Sequence, residues 1–101
     1  MEVKINKQGK VTSVDLIGRL DTPSAQEVSK AVEPVIADAS GTIVLDCKEL
    51  EYISSSGLRI FLTIRKAAAV QGGNVIVKGI NNDIRNVFMM TGFLNLFEME
   101  A

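Results

Sequence analysis

Thr42-Ile43-Val44-Leu45-Asp46-Cys47-Lys48-Glu49-Leu50-Glu51-Tyr52-Ile53-Ser54-Ser55-Ser56-Gly57-Leu58-Arg59 is the stretch on which the fold turns. Its first six residues are apolar and β-branched without polar alternation, the composition of a strand covered on both faces. Lys48 to Ser56 then forms a turn, and the apolar spacing from Gly57 to Gln71 predicts a helix closed by Gly72-Gly73. Asn74-Val75-Ile76-Val77-Lys78-Gly79 is a second buried strand. A strand, a crossover helix and another strand make a parallel pair.

Working outward, residues 82–90 predict a further capped helix, and Leu96-Phe97-Glu98-Met99 a short final strand. Toward the N-terminus, residues 2–7 and 10–16 alternate apolar and polar around Gln8-Gly9, which reads as a half-buried hairpin. Thr22 is a suitable N-cap and Pro23 a suitable first helical residue. Val28, Val32, Val35 and Ile36 follow at helical spacing, predicting a helix over 23–38 that Pro34 kinks or shortens and Ser40-Gly41 ends. The order β-β-α-β-α-β-α-β implies one α/β domain over residues 1–101, a mixed sheet with a parallel centre covered by helices.

Composition removes several function classes. The 101 residues suit one domain, and 47% hydrophobic with 23% charged residues suits a packed core. Eleven Lys and Arg against twelve Asp and Glu leave no basic excess for a nucleic-acid backbone. With no histidine, the commonest general base and metal ligand are missing, and no Ser-His or Cys-His nucleophile pair can form. The residues suggest no catalytic, cofactor or metal site. The lone Cys47 reads as a small buried hydrophobe. No stretch resembles a signal peptide or reaches the ~20 apolar residues of a membrane span, so a soluble cytoplasmic protein without membrane insertion is expected.

The segment left over for function is Ser54-Ser55-Ser56-Gly57 at a helix start. One serine is accounted for as an N-cap. Three exceed that need, and Gly57 offers room for close approach. Ser-Ser-Ser-Gly is not a G-x-S-x-G nucleophile elbow and lacks the glycines and lysine of a P-loop. A serine that receives a phosphate remains, and a helix N-terminus tolerates that charge. In the following helix, Leu58, Phe61, Leu62, Ile64, Ala67 and Ala68 leave a narrow polar stripe of Arg59, Thr63 and Lys66. Such a helix is either buried on most sides or pressed on a partner. Arg65 falls within the apolar arc, as a snorkelling side chain. Val87, Phe88, Met89 and Met90 suit core packing or an adaptable binding face.

Three segments in order carry a resemblance. Gly18-Arg19-Leu20-Asp21 looks like the G-x-L-D segment of STAS domains, Tyr52 to Arg59 like their phosphorylation loop, and Thr91-Gly92-Phe93-Leu94-Asn95-Leu96-Phe97 like their closing stretch. The chain thus resembles the bacterial anti-sigma factor antagonists of that family over nearly its whole length. The resemblance implies a non-enzymatic regulator of transcription that binds a serine-kinase anti-sigma factor and is switched off by phosphorylation of Ser56. It also implies a partner surface of Asp21, Thr22, Ser54, Ser55, Ser56, Gly57, Leu58 and Arg59. Asp21 and Thr22 read equally as helix-capping residues. Many phospho-regulated members have aspartate where Ser54 stands. The alternative role in the family is a non-phosphorylated subunit, such as that of a lipid-transport ABC system.

Overall fold

The computed structural model describes residues 1–101. Strands β1 (Glu2–Gln8) and β2 (Val11–Leu20) form the hairpin, with Gln8 opposite Val11 and Gly9 at φ 62° in the turn. That left-handed conformation is open to glycine at little cost. In β2 the alternation buries Thr12, Val14 and Leu16 on one face. Helix α1 (Thr22–Ala31) and a short α2 (Glu33–Ala37) follow, then β3 (Thr42–Asp46), β4 (Leu50–Ile53) and α3 (Ser55–Gln71). The chain ends with β5 (Asn74–Lys78), α4 (Asn82–Thr91), a 3-10 turn at Phe93–Asn95 and β6 (Glu98–Glu100).

The sheet runs β1-β2-β3-β5-β6, antiparallel at the hairpin and parallel elsewhere, so the expected mixed sheet with a parallel centre is present. Its helices lie on one face. Ile43, Leu45, Val75 and Val77 point into the core with the helices, whereas Val44 and Ile76 on the opposite face are only half-buried. The expectation that the 42–47 strand is covered on both faces is therefore corrected. Its β-branched residues serve strand propensity on the open face and burial on the other.

Four aromatic rings close the core. Phe88, with no exposed surface, meets Phe61 edge-on at 5.9 Å and Phe93 at 5.5 Å, and Phe97 packs against all three. Edge-to-face contacts of this kind add to the burial of the rings themselves. The C-terminal segment is thereby held on α3 and α4. Arg65 assists: its Nε donates to the Leu96 carbonyl at 2.7 Å, so the side chain taken for a snorkelling cation is a tether.

Other boundaries shift for identifiable reasons. The helix expected over 23–38 is two, because the chain turns at Val32 and Pro34 then occupies the first turn of α2, where its missing N–H costs nothing. The last strand starts at Glu98, after the 3-10 turn, not at Leu96. The turn expected over 48–56 contains β4, which pairs parallel with the end of β2. This is possible because β2 shifts register between Gly18 and Arg19, with Gly18 at φ 105°. Residues 11–15 of β2 pair with β3, and residues 18–20 pair with β4.

Candidate functional site

The bulge at Gly18 builds the site. It lets the end of β2 and the end of β4 run side by side, with the Gly18 N–H donating to the Glu49 carbonyl at 3.0 Å and the Ser54 N–H to the Leu20 carbonyl at 2.8 Å. The residue after each strand caps a helix: Asp21 starts α1 and Ser54 starts α3. Two helix N-termini thus open at one end of the sheet, beyond the carboxyl ends of parallel strands, where open α/β sheets gather their ligands and partners.

At α1, the Asp21 Oδ1 accepts from the Ser24 N–H at 3.0 Å, and the Asp21 N–H donates to Ser24 Oγ at 3.0 Å. This is a reciprocal capping box with serine in the third helical position. Thr22, expected as the cap, is instead the first helical residue and is exposed. Aspartate caps better than threonine, and here it also sits beside a cation. The Asp21 carboxyl is held below its ordinary 3.8, first by the Ser24 hydroxyl, then by the Ser24 N–H, with the Arg19 charge adding. A depressed pKa stabilises the fold above the unfolded value, and that contribution is lost as pH falls through the folded one. Asp21→Asn keeps an acceptor but does not titrate. Its melting temperature should fall below that of the unchanged chain at neutral pH, and the gap should close as pH falls below the ordinary carboxylate value and through the lowered one. A gap that stays constant with pH would count against this role.

At α3, Ser54 is the N-cap, its Oγ accepting from the Gly57 N–H at 3.2 Å. The helix starts at Ser55, two residues before the expected Gly57. Ser54 is buried; Ser55 is exposed and Ser56 is half-exposed, and the hydroxyls of both enter no intramolecular hydrogen bond. Gly57 is buried, and a Cβ there would come within 2.7 Å of Leu20 Cγ and 2.9 Å of Ile53 Cγ1. Its role is to let α3 settle onto β2 and β4, not to clear space for an incoming partner. Leu58 is buried in the core as well. Of the eight residues proposed as a partner surface, Ser54, Gly57 and Leu58 are therefore supports, and their side chains face inward. Asp21, Thr22, Ser55, Ser56 and Arg59 remain on the outside.

Other residues join the site through the tertiary fold. Arg19 stacks over the Tyr52 ring, its guanidinium carbon 4.5 Å from the centroid, because the two are register partners on β2 and β4. Between α1 and α3 runs a groove of about 490 Å³, lined by Thr22, Gln26, Ser29 and Lys30 on one side and by Ser56, Arg59 and Thr63 on the other. The polar stripe Arg59–Thr63 read from the sequence is one wall of this groove; Lys30 carries no local signal. The apolar arc of α3 is largely core, with Phe61, Ile64 and Ala68 buried. In α4, Phe88 is buried while Met89 and Met90 are exposed. Burial pushes the Cys47 thiol up to about 12, which leaves it inert at neutral pH.

The model of the STAS domain family matches residues 2–101. The chain belongs to the STAS domain family. Among curated relatives, the provisionally named anti-sigma factor antagonist BtrV of Bordetella bronchiseptica is 27% identical over 97 residues, spanning 96% of this chain and 84% of BtrV. A crystal structure of a provisionally assigned anti-sigma factor antagonist from Thermotoga maritima superposes with a TM-score of 0.89 at 18% identity, covering 98% of this STAS domain and 86% of that chain. SpoIIAA, a Bacillus cell fate determinant solved in its phosphorylated form, gives 0.76 at 20% identity, covering 99% and 91%. These structural likenesses establish the fold. No helix of the STAS domain is long and apolar enough to cross a membrane.

Proposed function

We propose that this STAS domain is an anti-sigma factor antagonist that binds a serine-kinase anti-sigma factor at the paired helix N-termini and is released when Ser56 is phosphorylated. The observation that carries the reading is the position of Ser56: second residue of a 17-residue helix, half-exposed, its hydroxyl uncommitted, beside the N-terminus of α1. Relatives named as antagonists, and a phosphorylated structure with the same fold, support it. Asp21, Thr22, Ser55 and Arg59 form the docking surface around the acceptor, and Arg19 stacked on Tyr52 extends it. Arginine and tyrosine are the side chains most often found as anchors in protein interfaces. Ser54 keeps the N-cap role that an aspartate would also fill, so the local geometry around Ser56 does not depend on which of the two is present.

The chain acts as a binding protein in this reading, and the chemistry belongs to the partner. The test is phosphate uptake. Unchanged, Ser55→Ala and Ser56→Ala proteins are incubated with extract of the native cell and ATP, and phosphate is counted by intact mass. The first two should gain one phosphate and Ser56→Ala none. Full uptake by Ser56→Ala would move the acceptor elsewhere. No uptake by any of them would favour a subunit that binds without being phosphorylated.

A further inference from the structure

The α1–α3 groove has an unusual lining for the surface of a nearly neutral protein. Arg59 and Lys30 both line it, together with the Ser56 and Ser29 hydroxyls and the Gln26 amide, and no acidic side chain does. Neither cation has an anionic partner: the salt bridges of the chain join Lys4 to Glu2, Lys7 to Asp38 and Lys48 to Asp46. Arg59 stands three residues after Ser56 on the same helix, the spacing at which side chains meet on a helix surface. The nearest capping acid, Asp21, is committed to Ser24 and does not line the groove. Two unpaired cations and several neutral donors, lining the same groove as a serine hydroxyl, are the complement of a phosphate group.

We propose that this groove is an intramolecular phosphate site, in which Arg59 and Lys30 receive the phosphate carried by Ser56. The inference rests on Ser56 as the acceptor but adds a consequence to it. Modification does more than place negative charge on the docking surface: it also folds the Arg59 guanidinium back onto the phosphate and withdraws that cation from the partner. The released state is then held by contacts within the chain, and the phosphate is partly shielded from hydrolysis.

The test needs no kinase, so its outcome is separable from that of the partner reading. Phosphoserine is installed at position 56 by genetic encoding, and its second ionisation is followed by phosphorus NMR. Cations in contact favour the dianion, so the pKa should lie below the ordinary value of about 6. Arg59→Gln and Lys30→Gln should each raise it by a few tenths of a unit or more, and Arg59→Lys should restore part of the shift. Both side chains are exposed or groove-lining, so the variants should fold, which their circular dichroism checks. A generic phosphatase should also remove the phosphate several-fold faster from the Arg59→Gln protein. A pKa that neither substitution moves would overturn the proposal. Inorganic phosphate is titrated into the unmodified protein as a separate arm. Amide shifts there that depend on Arg59 and Lys30, with no effect of either on the phosphoserine pKa, would make the groove a site for a free anion instead and equally overturn it.

Discussion

Under the proposed function, phosphoserine at position 56 should weaken binding of the partner protein by about 30-fold to several thousand-fold while leaving the fold unchanged. The two halves of that expectation come from different environments of the same group. In the free STAS domain the phosphate adds about −1.5 to −2 charges at the N-terminal turn of α3, where the helix dipole favours an anion by typically under ~1 kcal/mol. Ser56 is half-exposed, so water also solvates the group. Melting temperature and far-ultraviolet circular dichroism should therefore barely move. Within the interface the dianion must shed water and meet a surface shaped around a neutral hydroxyl. Leaving a charge buried and unpaired in an interface costs about 2–5 kcal/mol, which sets the range of the affinity loss at tenfold per 1.4 kcal/mol. Titration calorimetry with the captured partner measures it. Ser56→Asp, with a single charge on a shorter side chain, should show the same direction at smaller size. Equal affinity of the phosphorylated and unmodified proteins would remove the charge switch from the mechanism.

Phe88→Ala should destabilise the domain by about 3–5 kcal/mol, the cost of emptying a ring-sized volume in a packed core. Phe88 has no exposed surface and sits among Phe61, Phe93 and Phe97, so its removal leaves a buried apolar space and takes an edge contact from Phe61 and Phe93 and a tilted one from Phe97. Against a total stability of ~5–15 kcal/mol for a domain of this size, that loss leaves the variant near its unfolding midpoint in the least favourable case. Urea unfolding of the two proteins checks it. Met90→Ala on the same helix is the control, since that side chain is exposed and its loss should fall within about 0.5 kcal/mol. A Phe88→Ala cost under ~1 kcal/mol would mean the aromatic cluster is not the core's keystone. Because the cluster holds the C-terminal segment against α3, the helix that carries Ser56, the variant should also lose partner affinity in proportion to its unfolded fraction.

Much of this was readable along the chain. The alternation in residues 2–7 and 10–16, the apolar runs at 42–47 and 74–79, and the glycine at 72 that ends α3 are local signals, because burial period and left-handed backbone are properties of neighbouring residues. The serine turn at the start of α3 was legible too, through a motif whose spacing is itself local. The short strand β4 was not. Leu50-Glu51-Tyr52-Ile53 buries only its two ends, and it is a strand solely because β2 bends at Gly18 to pair with it. The division of labour among Ser54, Ser55 and Ser56 also lies outside the string of letters, since three identical side chains differ only in which hydroxyl the Gly57 N–H reaches.

The sequence by itself therefore determined most of the helices and strands, the family and the serine turn, all of which depend on periodicity, caps and motifs within a few residues. Only the tertiary structure decided what that turn is made of. Packing of α3 onto Leu20 and Ile53 gave Gly57 a structural reason and turned Ser54 and Leu58 inward. Juxtaposition of α1 and α3 brought Lys30 to the groove that Ser56 and Arg59 share. Contacts between residues far apart in the chain have no period to announce them; they exist once the core has chosen which helix faces lie side by side.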